Sequence, residues 1–179
     1  MLQFANSGDN TAPTLAVIGN RTIGAGVTLS ITNSASDTDT PPQTLAFNMP
    51  VAPTNAVLDT NSGVVTWRPW VTQANTTNSF TVTVFDNGTP PKSAARSFTV
   101  TVTNLAKPLL SAAIPVNGRM VLQVDGATGP DYQIQASTNL VDWNAAYTTN
   151  APMLPFTWTN STTVQPVNFF RILVGPPLP

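Results

Sequence analysis

The sequence predicts an all-β protein built from two tandem antiparallel β-sandwiches. Three observations carry this prediction: the composition favours strands, apolar residues alternate with polar ones, and turn residues recur at short intervals. Thr and Val, which favour pleated and half-buried strands, are abundant, and Asn and Pro mark the turns between them. Glu is absent and charged residues make up only 8% of the chain, so solvent-exposed helices are not expected.

Alternation with a period of two marks the strands of the first segment, which we place at residues 1–106. Strands are expected at 13–18, 26–32, 44–48, 64–67, 79–86 and 96–104. The last two are joined by NGTPPKSAA, whose Asn-Gly and Pro-Pro steps predict a hairpin. About seven short strands in roughly a hundred residues indicate an immunoglobulin-like sandwich.

The second segment, residues 107–179, predicts a smaller β-sandwich with a Pro-rich tail. Its candidate strands lie at 119–125, 131–137, 144–149, 155–160 and 167–174. The tail reads GPPLP, and the boundary between the segments falls near 106–108. A domain of about seventy residues has little core to stabilise it, so we expect it to lean on its neighbour.

The composition excludes several classes of function. The chain contains neither Cys nor His, which removes thiol nucleophiles, Ser-His triads, disulfides and almost every kind of zinc site. The net charge of −1 attracts neither nucleic acid nor an anionic membrane, and no long apolar run predicts membrane insertion. Any bound metal must therefore be a hard cation with oxygen ligands, Ca²⁺ first.

Three pieces of the first segment occur in a recognisable order: ASDTDTPPQTLAF, AVLDTNSGVVTWRPW and FTVTVFDNGTPPKSAARSFTVTV. Together they resemble the cadherin-like and dystroglycan-type immunoglobulin-like domains of large bacterial surface proteins. The resemblance covers residues 9–104. It implies a cadherin-like sandwich that serves as a non-catalytic surface module.

Two pieces of the second segment, YQIQASTNLVDWN and VNFFRILVGP, resemble a small domain common near the C-termini of secreted bacterial proteins. That domain is similar to fibronectin type III and other immunoglobulin-like modules. The resemblance implies a fibronectin III-like fold, and it implies no catalytic or ligand-binding chemistry.

Two carboxylates, Asp37 and Asp39, stand two residues apart in a chain with few charges. The predicted strand order places them at the N-terminal pole with Asp86, and with Asp9 and Asn10 of the lead-in GDN. Like charges on one side of an extended segment repel, and Ca²⁺, which takes six to eight oxygen ligands, would neutralise them.

Two interpretations of these carboxylates stay open at this point. The cadherin resemblance implies a calcium site that acids of a preceding domain complete. In the alternative interpretation the Asp residues form solvated Asx turns. Catalysis by the pair is not expected, because both carboxylates should lie in exposed loops without a pocket.

The aromatic residues allow a second class of function. Trp67 shares the parity of the buried Val65, and Trp143 is predicted to anchor the core of the second domain. Trp70, Tyr147 and Trp158 are the candidates for stacking on a sugar, because carbohydrate-binding modules present exposed aromatic rings.

The sequence therefore favours a non-catalytic spacer, adhesion or accessory module, located outside the cell or at its surface. Its expected partners are neighbouring domains of a longer chain, and a polysaccharide or surface protein. A carbohydrate-binding module attached to a polysaccharide-degrading enzyme is the first alternative. A self-assembling subunit that pairs through an exposed strand edge is the second. The start MLQFANSGDN lacks the features of a signal peptide, so we expect a segment of a longer secreted protein.

Overall fold

The computed structural model of the chain describes residues 9–116, 119–160 and 169–178. Its described elements are fifteen β-strands and one turn of 3₁₀ helix, Val71–Gln73. Strands β1 to β9 are Thr14–Leu15, Arg21–Ile23, Leu29–Thr32, Ala35–Ser36, Ala46–Val51, Val57–Leu58, Val64–Trp67, Thr76–Phe85 and Ser93–Val102. Strands β10 to β15 are Leu109–Val116, Arg119–Asp125, Asp131–Ser137, Asn144–Thr149, Phe156–Thr159 and Phe169–Gly175. The predicted all-β fold class is confirmed.

The chain divides into two compact units. The first contains the residues up to Ile23 together with 29–68 and 77–101, and the second contains 24–28, 69–76 and 102 onward. In the first unit a four-stranded sheet of order β2-β9-β8-β5 is accompanied by a three-stranded sheet β3-β7-β6 and by the pair β1-β4. The neighbours β8 and β9 form the hairpin that the loop chemistry predicts.

The core of the first unit follows from the alternation of its strands. On β8, Phe80, Val82 and Val84 are fully buried, and the residues between them are not. The Phe80 ring stacks on Phe98 of β9 with 4.8 Å between centroids, and meets Trp67 edge-on at 5.4 Å. Burial of each such side chain stabilises the fold by about 1.5–3 kcal/mol.

One glycine of the first unit is required by its backbone and its neighbour. Gly63 has a φ of +69°, and a Cβ built there would lie 2.8–3.0 Å from the ring of Phe47. Its N–H donates to the backbone oxygen of Asp59 at 2.9 Å, which closes the turn before β7. Only glycine combines that backbone conformation with an aromatic ring packed directly on it.

The second unit consists of two three-stranded antiparallel sheets with orders β10-β11-β14 and β13-β12-β15. Its buried core cluster comprises Leu122 and Val124 of β11 and Tyr132 and Ile134 of β12. Partly buried apolar side chains from the flanking strands pack around this cluster. The central strand β12 is almost entirely buried on both of its faces.

Candidate functional site

Two loops and the lead-in segment meet at one pole of the first unit. The loops are residues 37–43, which follow β4, and residues 86–92, which join β8 to β9. The lead-in is Asn10 and Thr11, just before β1. Hydrogen bonds between side chains connect all three segments. We call this set of hydrogen-bonded residues the polar clasp.

Asp39 holds the lead-in from one side of the polar clasp. Its carboxylate accepts the backbone N–H of Thr11 at 2.9 Å and the Thr11 hydroxyl at 2.8 Å. It also accepts the side-chain amide of Gln43 at 2.9 Å. The same amide nitrogen of Gln43 lies 2.6 Å from Oδ1 of Asn10. Asp39 therefore has neutral hydrogen-bond donors on both carboxylate oxygens.

Asp86 holds the lead-in from the other side, and is 6% exposed. Its Oδ1 accepts the backbone N–H groups of Lys92 at 2.8 Å and Gly88 at 3.0 Å. The side-chain amide of Asn10 lies 3.3 Å from each of its oxygens and donates to the carbonyl of Pro90 at 2.7 Å. The ammonium of Lys92 donates to the backbone carbonyl of Asn10.

Electrostatics keep Asp86 ionised in this position. Burial raises the pKa of its carboxyl, because desolvation penalises the charged form. The N–H groups of Lys92 and Gly88, the Asn10 amide and the Lys92 charge lower the pKa and outweigh the burial. The pKa of Asp86 therefore lies below its ordinary value, and the carboxylate is charged at neutral pH.

Two buried oxygens of the polar clasp have no hydrogen-bond partner. They are Oδ2 of Asp37 and Oε1 of Gln43. The other carboxylate oxygen of Asp37 accepts the backbone N–H of Asp39 at 2.8 Å, which forms an Asx turn. Oxygen acceptors that are buried without a donor are costly, so they indicate a place that a cation or water molecule can satisfy.

A recess of about 350 Å³ opens beside the polar clasp. It is lined by Asn10, Asp39, Thr40, Pro41, Pro42, Gln43, Asn87, Gly88 and Thr89. Gly88 is needed there, because a Cβ on it would overlap the side-chain amide of Asn10. Its lining is mostly polar, and Asp39 is the acidic residue among the residues that line it.

The structure brings four of the five sequence-predicted ligands to this pole: Asn10, Asp37, Asp39 and Asp86. Asp9 is an exposed residue at the edge of the described chain. Within residues 9–116, 119–160 and 169–178, no three carboxylates lie close enough to hold a metal ion by themselves. The role of these residues as calcium ligands stays a prediction.

Sequence reasoning missed Gln43 and Lys92, which supply much of the polar clasp. Lys92 ends the loop that Asp86 begins, so the backbone bond from the Asp86 N–H to the Lys92 oxygen follows from the predicted hairpin. Gln43 follows Asp39 by four residues across two prolines, and no local pattern predicts that its side chain turns back.

The three candidate sugar-stacking residues lie in different surroundings. Trp158 of β14 packs against the core cluster of the second unit, with its ring 6.0 Å from that of Phe170. Tyr147 of β13 is 39% exposed and its ring tilts by 49° against Phe156. Trp70 is half-buried and precedes the 3₁₀ turn. Their role in sugar binding stays a prediction.

Comparison with known proteins identifies the family. A family model described as "Putative Ig domain" matches residues 12–103, just over half of the chain. The chain belongs to this family of immunoglobulin-like domains. The predicted immunoglobulin-like sandwich of the first segment is therefore confirmed. No curated protein matches the chain.

Several solved structures are similar to the chain at low identity. A mouse Cadherin-23 fragment, EC22-24, is 14% identical over 93% of this chain and 65% of its own, with a TM-score of 0.45. The third cadherin domain of human protocadherin 7 is 18% identical over 56% of this chain and 93% of its own, with a TM-score of 0.40.

A third similar structure is longer. It is a nucleoside hydrolase-related hypothetical protein from Saccharophagus degradans, described as associated with carbohydrate metabolism. The identity is 18% over 54% of this chain, with a TM-score of 0.42, and this chain spans only 27% of that protein.

In the described part of the chain, no helix has the length and apolarity needed to cross a bilayer.

Proposed function

We propose that the chain is a non-catalytic extracellular module that connects and positions the domains of a longer protein. The polar clasp is the observation that supports this proposal. It ties the segment entering the sandwich to both loops of the pole, through Asp39 on one side and Asp86 on the other. A chain held in this way passes tension to the sandwich as a whole and not to its first strand alone.

The same contacts argue against catalysis at this pole. A carboxyl that acts as a general acid or base needs an open approach and a pKa near the working pH. Here the pKa of Asp86 is lowered, and its oxygens are occupied by backbone and amide donors. Its charge is used to hold the fold together.

The proposal predicts that the polar clasp resists mechanical force. In a single-molecule pulling experiment on the whole chain, Asp39→Ala should lower the unfolding force of the first unit, because both bonds to Thr11 are lost. Asp142→Ala is the matched control, since its carboxylate accepts the side-chain amide of Asn139 in a loop of the second unit. Equal unfolding forces for Asp39→Ala and the unchanged protein would contradict the proposal.

We further propose that the pole takes up Ca²⁺ beside Asp37. The observation that favours this is the pair of buried, unpartnered oxygens on Asp37 and Gln43. Carboxylate and amide oxygens are the ligand types that this cation prefers. Asp37 and Gln43 would hold the ion, which would neutralise the Asp37 charge, and water or a neighbouring domain would supply the remaining ligands.

Calcium binding predicts a rise in stability that depends on Asp37. At Ca²⁺ about a hundredfold above its Kd, the free energy of unfolding should rise by about 2.7 kcal/mol. The measurement is a thermal melt in excess EDTA and in millimolar Ca²⁺. Asp37→Asn should abolish the rise. Asp59→Asn is the matched control, because Asp59 accepts the backbone N–H groups of Asn61 and Ser62 in a similar turn. This variant should keep the rise in stability, since Asp59 does not belong to the polar clasp.

An unchanged melt of the unaltered protein would count against calcium binding but would leave the mechanical role of the polar clasp intact. The carbohydrate-binding alternative receives less support, because the partly buried Trp158 packs against Phe170 and the core cluster of the second unit.

A further inference from the structure

The loop that joins β8 to β9 contains an Asn-Gly step, Asn87-Gly88. In water such a step can rearrange by itself, because the backbone nitrogen of the glycine attacks the side-chain amide carbon of the asparagine. The reaction is fastest before glycine, since no side chain obstructs the attacking nitrogen. Asn87 is exposed and Gly88 is half-buried, so water has access to the step in the folded chain.

The two groups that must react with each other are both held by hydrogen bonds. The nucleophile is the N–H of Gly88, which donates to Oδ1 of Asp86 at 3.0 Å. The electrophile is the side-chain amide of Asn87, whose oxygen accepts the backbone N–H of Thr44 at 2.8 Å. The charge of Asp86 also opposes loss of the Gly88 proton, because that loss would place a second negative charge beside the carboxylate.

The backbone at Gly88 is packed as well as hydrogen-bonded. A Cβ there would overlap the side chain of Asn10, so the loop lies directly against the lead-in. The amide oxygen of Asn10 accepts the side chain of Gln43 at 2.6 Å, and its amide nitrogen donates to the carbonyl of Pro90 at 2.7 Å. The Gly88 nitrogen is therefore free to approach the Asn87 side chain only when the polar clasp opens.

We propose that Asn87 is a latent site of deamidation, which is protected while the polar clasp is intact and reacts when the clasp opens. The Gly88 nitrogen then forms a bond to the amide carbon of Asn87. The side-chain nitrogen leaves as ammonia and takes the proton that Gly88 loses. Water opens the resulting succinimide at either carbonyl, which gives aspartate or isoaspartate at position 87 without any oxidant or reductant.

Either product changes the pole permanently. Asn87 and Asp39 both line the recess, so the new carboxylate adds a negative charge to a wall that already carries one. The isoaspartate product also adds one carbon to the backbone, which shifts the Gly88 N–H relative to Asp86. Opening of the polar clasp is thereby recorded as a covalent change. The inference rests on the contacts of the clasp and does not depend on the mechanical role or on Ca²⁺.

The measurement is peptide mapping by mass spectrometry while the whole chain is incubated at mildly alkaline pH. Mapping assigns the reaction to Asn87, because the sequence contains a second Asn-Gly step at residues 117–118. In the folded chain, Asn87 should react at least about tenfold more slowly than in the same chain unfolded in guanidinium chloride, since the reaction waits for the clasp to open.

Two substitutions in the polar clasp should accelerate the reaction in the folded chain. Asp86→Ala removes the acceptor of the Gly88 N–H, and the rate at Asn87 should rise at least about fivefold. Asp39→Ala leaves Asp86 in place but removes the bonds to Thr11 and Gln43, so it should raise the rate by a smaller factor. Asp39→Ala carries the test if Asp86→Ala does not fold, which circular dichroism checks.

Phe98→Ala is the matched control for global unfolding. It weakens the core of the first unit, where Phe98 stacks on Phe80, and leaves the contacts of the loop in place. The rate at Asn87 should stay close to that of the unaltered chain. A rate as high as that of the clasp variants would assign the reaction to global unfolding and overturn the inference. Equal rates in the folded and unfolded chain, or no acceleration in either clasp variant, would also overturn it.

Discussion

Asp86 shows how one carboxylate can hold together the loops of a pole. Its oxygens collect two backbone donors and one side-chain amide, so its charge is stabilised by groups on either side of the loop. Removing that carboxylate leaves the N–H groups of Gly88 and Lys92 without their acceptor. The cost of unpaired donors makes this residue important for stability.

The lowered pKa of Asp86 predicts a specific response to acid. A carboxyl whose pKa is lower in the folded protein stabilises the fold above its unfolded pKa of about 4, and this contribution is lost as the pH falls through the folded value. Asp86→Asn should therefore be less stable than the unaltered chain at neutral pH and should lose less stability on acidification.

The measurement is urea unfolding at a series of pH values from neutral down to about pH 2. Part of the dependence of the unfolding free energy on pH should remain in the variant, because the N–H groups of Ser62 and Asn61 also lower the pKa of Asp59. Parallel stability curves for the two proteins would contradict the role assigned to Asp86.

The sequence predicts the burial of one tryptophan correctly and of another wrongly. Trp67 is fully buried, as its parity with Val65 predicts. Trp143 was expected in the core of the second domain, but it lies outside the core cluster, beneath Arg171. Within a strand, alternation determines which face a side chain lies on. Trp143 is the last residue of the loop before β13, where this rule does not apply.

At the scale of elements, the hairpin β8-β9 carries the core of the first unit. Phe80 and Phe98 stack across it with an interplanar angle of 10°. We expect Phe98→Ala to lower the free energy of unfolding by about 3–5 kcal/mol, since it leaves a cavity against Phe80. Chemical denaturation measures this change.

The matched control lies on the same hairpin. Phe85 of β8 is 39% exposed, so Phe85→Ala should cost much less than Phe98→Ala. Comparable losses from the two substitutions would show that the stacked pair does not dominate the stability of the hairpin.

Several strands have in the structure the bounds that the sequence predicts, whereas the alternating strands predicted at 79–86 and 96–104 are shifted by two or three residues at most of their ends. Residues 64–67, 119–125, 131–137 and 144–149 form strands with the expected bounds. Strand β10 was missed because its Ser-Ala-Ala stretch lacks the β-branched and aromatic residues that identify a strand. The two-residue strands β4 and β6 are too short to show any period.

At the scale of the whole molecule, the scarcity of charge shapes how the chain is held together. With seven basic and eight acidic residues among 179, long-range electrostatic fields contribute little. Neutral amides and backbone groups take over the pairing of carboxylates, as Gln43 and Asn10 do at the pole. Composition predicted the fold class, but these side-chain contacts depend on tertiary structure.

The buried amides of β12 have a consequence for strand alignment. Gln135 donates to Gln133 at 2.7 Å, Gln133 donates to the Thr148 hydroxyl at 3.2 Å, and Arg171 donates to Gln135. Both faces of β12 are buried, so apolar packing alone distinguishes poorly between two alignments that differ by one residue. Such a slip would turn the amides toward the apolar core and strand their polar groups there. The two glutamines, Gln133 and Gln135, therefore determine which side of the central strand faces the apolar core.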